Sequence, residues 1–83
     1  MDAFNSEISQ IDQSFADIAA KIEAAQHEQE LYDQQYNLGA VRIKLSDLGA
    51  MRKHATFNSI LAEKLNRLRE LERRVLERMK ELG

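Results

Sequence analysis

The first residues to weigh for chemistry are the two histidines, His27 and His54, since imidazole is the usual carrier of proton transfer and metal binding. His27 stands in Glu23-Ala-Ala-Gln-His27-Glu28-Gln-Glu30. On a helix, Glu23, His27 and Glu30 share a side, a carboxylate–imidazole grouping suited to a divalent cation. Metal sites in helical bundles project inward, however. His27 falls at the outward f position of the heptad frame described below, so a solvated polar face with no metal is expected. His54 follows Arg52 and Lys53, whose charges oppose a cation, and reads as a turn or surface residue.

Nucleophile chemistry has less to work with. Ser6, Ser9, Ser14, Ser46 and Ser59 lie outside any glycine-flanked nucleophile turn, and there is no glycine-rich phosphate loop. Carboxylates are plentiful, but long helices give no evident groove to hold a substrate between two of them. The expectation is a non-enzymatic chain with no catalytic residues and no cofactor.

Nucleic acid is the rival chemistry. The run Arg67-Leu-Arg69-Glu-Leu-Glu-Arg73-Arg74-Val-Leu-Glu-Arg78-Met-Lys80 has the composition of a basic helix. Glu70, Glu72, Glu77 and Glu81 interrupt or follow it and repel phosphates. The whole chain carries a net charge of −2, whereas small nucleic-acid modules are basic overall. Nucleic-acid regulation is therefore the second reading.

These residues must be positioned by a small fold. The chain has 83 residues, room for one domain near the lower limit of independent stability. It has no cysteine, so no disulfide can supplement the core. The N-terminus lacks the basic start and apolar run of a secretory signal, and no apolar run approaches membrane-spanning length. A cytoplasmic chain without membrane insertion is expected, although signal-less export leaves no mark in a sequence.

With no proline and three glycines, there are few places to break a helix. Phe4, Ile8, Ile11, Phe15, Ile18, Ile22, Ala25, Gln29, Tyr32 and Tyr36 recur at alternating steps of four and three. That is a heptad seam of the kind helices use to pack in register. It predicts helix one over about 2–37, with a turn at 37–40 where Gly39 can close the helix. Helix two is expected over about 40–82. It is either continuous with a phase defect or broken between Gly49 and Asn58, with Thr56 or Asn58 as N-cap. The alternation from Val41 to Leu45 also allows a short strand, with no second strand to pair it.

Charge divides the chain. Residues 1–39 carry eight acids against Lys21, and residues 40–83 carry eleven bases against six acids. Glu7, Asp12, Glu28 and Asp33 fall at the e and g positions flanking the first seam. Arg67, Arg74 and Arg78 lie on one flank of the second helix's leucine stripe, and Arg69, Arg73 and Lys80 on the other. Opposite flanking charges select partners, although each exposed pair contributes only about 0–1 kcal/mol. An all-α antiparallel helical hairpin, or its domain-swapped equivalent, is predicted, assembling into a larger bundle.

The apolar arc of the second helix is wide. Phe57, Ile60, Leu61, Leu65, Leu68, Leu71, Val75, Leu76, Met79 and Leu82 cover nearly half of its wheel. Two packed helices need only a narrow stripe, so a broad arc implies further helical contact. A second copy, a helical partner protein, or a short middle helix near residues 40–50 would supply it. The function expected is a small adaptor, scaffold or co-chaperone that binds another helical protein or itself.

Overall fold

The computed structural model describes residues 2–51 and 55–83, and among them every regular element is a helix. The order is α1 (Asp2–Ala24), α2 (Glu28–Met51) and α3 (Ala55–Leu82). Asp12 meets Lys64 and Glu23 meets Arg74, so α1 and α3 run the same way. Arg42 meets Glu72 while Gly49 lies against Leu61, so α2 runs opposite to α3. The result is an up-down-up bundle with dimensions of 44 × 17 × 15 Å.

Each helix places one stripe in the shared core. α1 gives Ile11, Phe15, Ile18 and Ile22, its part of the predicted seam, and α3 gives Leu61, Leu68, Leu71 and Val75. α2 gives Leu31, Leu38, Val41, Leu45 and Leu48, together with the buried amide Gln34. Ile8, Ile60, Leu65, Met79 and Leu82 pack against this core from its edges. Burying one such aliphatic side chain is worth roughly 1.5–3 kcal/mol, and three interlocking stripes explain how so short a chain holds together.

The all-helical architecture matches expectation, and its helix boundaries require correction. Asn37–Gly39 is not a turn: it lies inside α2, and the chain reverses at residues 25–27. No described residue has positive φ, so Gly39 is not used for a left-handed cap. The reversal is made by hydrogen bonding instead. Ala25 donates to the Ile22 carbonyl at 3.4 Å, tightening the last turn of α1. Glu30, third residue of α2, reaches back and accepts from the backbone N–H groups of Gln26 (2.9 Å) and His27 (3.0 Å). A carboxylate at this position satisfies donors that the start of a helix leaves without partners.

Other expectations fall with the new boundary. Val41–Leu45 is helical, its inward residues Val41 and Leu45 being one turn apart. Thr56 and Asn58 lie within α3 and do not precede it. The interruption sought between Gly49 and Asn58 is present, since α2 ends at Met51 and α3 begins at Ala55; His54 lies outside the described residues.

Candidate functional site

Two arginines of α3 hold the end of α1. Arg74 forms a forked pair with Glu23, Nε to Oε2 at 2.6 Å and Nη2 to Oε1 at 2.7 Å. The two parallel bonds match the planar guanidinium to the carboxylate. One turn later Arg78 donates to the backbone carbonyls of Ile22 at 3.2 Å, Glu23 at 3.5 Å, and Ala25. These are acceptors that a helix C-terminus leaves open, where positive charge is also favoured.

The acid–base consequences follow from those contacts. The hydrogen bond from Arg74 holds the Glu23 carboxyl below its ordinary range, and Arg74 itself is raised. Glu30 is lowered by the backbone donors of Gln26 and His27, and Glu81 by the side chain of Arg78. Each shift stabilises an already charged group, the opposite of poising a general acid or base near neutral pH. Glu23 and Glu30 are thus engaged by α3 and by the backbone, not gathered around His27. Among the described residues no group of three or more His, Cys, Asp or Glu side chains is placed to hold a metal ion.

An open groove of about 280 Å³ runs between α1 and α2, with Ser14, Asp17, Lys21, Asn37 and Lys44 on its walls. None of the shifted groups lines it. Among the described helices, none is long and apolar enough to cross a membrane.

The surface that stands out is the far side of α2. Tyr36 is 80% exposed, Ile43 66% and Tyr32 50%. They lie within about 40° of one another on the helical wheel, directly away from the core stripe. The first seam, Ile11 to Ile22, is buried, but Tyr32 and Tyr36, expected to extend it, point to solvent. The frame itself does not stop at Tyr36. Continued in steps of three and four it runs through Gly39, Ile43, Ser46 and Ala50 to the end of α2. α2 therefore bears two heptad stripes on opposite faces, one in the core and one outside.

The arc of the C-terminal helix is placed differently from expectation. Leu61, Leu68, Leu71 and Val75 are buried, and Ile60, Leu65, Met79 and Leu82 partly so, all against this chain's own helices. Its breadth is explained by α1 and α2 covering it together. Leu76 alone of the arc's described residues is largely exposed, at 55%. It sits one turn beyond Glu72, whose pair with Arg42 (2.7 Å) places it along the edge nearest α2. The side chains of Phe4 and Phe57 lie outside the described residues.

Flanking charges also separate into pairs and surface. Asp12 meets Lys64 at 2.8 Å, and Arg67 meets Glu70 within α3 at 3.4 Å. Glu28, Asp33, Arg69 and Arg73 are exposed and Glu7 is half-buried. Sequence reasoning missed Ile43, Gly39, Ser46 and Ala50 as members of one face. The signal was the heptad spacing itself, cut short by placing a turn at Gly39. Comparison of the chain with family models, curated proteins and solved structures finds no match.

Proposed function

We propose that this protein is a non-enzymatic helical interaction module, an adaptor or scaffold that packs the outward face of α2 on another helix. The observation that carries this reading is the exposed line Tyr32–Tyr36–Ile43 on a helix whose opposite face is already committed to the core. Large apolar side chains scattered singly on a surface need no explanation, but aligned ones mark contact sites. A helix-in-groove or helix-on-helix partner reads such a line through its three- and four-residue spacing.

The charge arrangement supports this reading over a nucleic-acid regulator. Arg74 and Arg78, central to the basic run, are engaged with Glu23, Glu77, Glu81 and the end of α1. Phosphate binding would have to compete with these contacts, and the interspersed glutamates would oppose it.

The test is a photo-crosslinking residue at position 43, with position 63 on exposed α3 surface as control, in cells that make the protein. Defined adducts to a protein, itself or another, at 43 and not at 63 are expected. Equal labelling at both positions, no adduct at 43, or adducts only to nucleic acid would overturn the proposal.

A further inference from the structure

We infer that the partner for the outward face of α2 is a second copy of this chain, paired antiparallel about a two-fold axis near Asn37 and Leu38. This rests on the reading of the chain as an interaction module and names its occupant.

The first support is Gly39. It lies in the middle of a 24-residue helix, where glycine is the poorest former after proline. Its φ is not positive, and a Cβ built there would meet nothing within 4 Å. The chain's own fold has no use for a missing side chain at this position. Close approach of a second helix does, and Gly39 stands on the exposed stripe between Tyr36 and Ile43.

The second support is how the stripe matches itself. With the axis near residues 37–38, Tyr36 falls against Gly39 of the second copy and Tyr32 against Ile43. Large side chains then meet small or aliphatic ones, as interlocking helices require. A parallel arrangement would set Tyr36 on Tyr36 and leave two glycines facing each other.

Charge selects the same arrangement independently. Asp33 and Lys44 are exposed, three helical turns apart, and on one flank of the stripe. The two-fold axis brings Asp33 opposite Lys44 of the second copy, and symmetry makes the pair twice. Parallel pairing puts this flank of the two copies on opposite sides of the seam, so the Asp33–Lys44 pair cannot form there. Sliding the antiparallel pair by one heptad sets Asp33 against Asp47, so that register is disfavoured too. The contact strip is roughly 30 Å long and about 10 Å wide, below the size of a standard specific interface and in the range of weak, transient contacts. The dimer is therefore expected to be weak and to form only at the high end of protein concentration.

Sedimentation of the purified full chain over a wide concentration range tests this, with helicity followed to show that each variant folds. Wild type should pass from monomer to dimer. Lys44→Asp should weaken the dimer by about tenfold or more, and Asp33→Lys added to Lys44→Asp should restore it. Gly39→Gln, which fills the crossing point while keeping the helix, should weaken it comparably. A wild type that stays monomeric throughout would overturn the second copy as partner. So would a dimer indifferent to all three variants. Neither result touches the crosslink at position 43, which continues to judge the interaction reading itself.

Discussion

The guanidinium of Arg78, on α3, donates to the backbone carbonyl of Ile22, on α1, at 3.2 Å. The side chain doing this is only 15% exposed. It thus ties the two helices that run in the same direction at the point where the chain between them turns back. Removing it leaves carbonyls at the end of α1 without their charged donor. Arg78→Ala should lower unfolding free energy by about 2 kcal/mol in urea titration, the range for hydrogen bonds to a charged group. Arg78→Lys should recover only part of this, because an ammonium cannot span several acceptors as a planar fork does. A loss below about 0.5 kcal/mol, the range of an ordinary surface substitution, would contradict the capping role.

Acid should weaken the same end of the bundle. Glu23, Glu30 and Glu81 are all held below their ordinary value of 4.5 in the folded chain. As pH falls, the unfolded chain takes up these protons first, so the contribution is complete above about 4.5 and lost as pH drops through the lower folded values. Urea midpoints should therefore fall steadily over that window. Glu30→Gln should flatten part of the decline, whereas an unchanged profile would contradict the cap on α2.

The wide arc of α3 makes a sharper contrast. Leu68 is fully buried between the helices and Leu76 is largely exposed. Leu68→Ala should cost about 2–5 kcal/mol, since it removes contacts and leaves a cavity. Leu76→Ala should change stability by under about 0.5 kcal/mol. Equal losses at the two sites would mean that the arc is covered in some other way.

Gly39 tests whether α2 continues through the position where a turn was expected. Because its φ is not positive and the Cβ position is open, Gly39→Ala should stabilise the dilute monomer by about 0.4–1 kcal/mol. A left-handed glycine would give the reverse sign.

These residues also mark what the sequence made legible. Ile11, Phe15, Ile18 and Ile22 were readable because a three–four spacing has one helical interpretation and the core uses it. The turn at 25–27 was not, because Ala25, Gln26 and His27 include no glycine or proline and the apolar frame runs through them without a fault. The frame is kept in sequence while its burial is not: upstream of the turn it faces the core, and downstream it faces solvent. One counter-signal was present, the spacing of Leu31, Gln34, Leu38, Val41, Leu45 and Leu48. The cap made by Glu30 was not legible, since the residue three before it is His27, not one of the usual capping types. A helix with stripes on both faces offers two equally regular frames, and periodicity alone does not say which is inside. The opposite charge of the acidic N-terminal segment and the basic C-terminal helix was legible. The pairs that form, Asp12–Lys64 and Glu23–Arg74, nevertheless join helices that run the same way, and neither Lys64 nor Glu23 was among the flanking charges expected from an antiparallel pairing.

α2 turns Ile43 outward and Leu38 inward, and the proposed interaction surface depends on that orientation. The chain has no cysteine of its own, so thiol labelling of Ile43→Cys and Leu38→Cys reads the two positions separately. In dilute, folded protein, the thiol at 43 should react nearly as fast as in the denatured chain, and the thiol at 38 should react only as fast as the bundle opens. Slow labelling at 43 with rapid labelling at 38 would contradict the orientation of α2 and the interaction surface built on it.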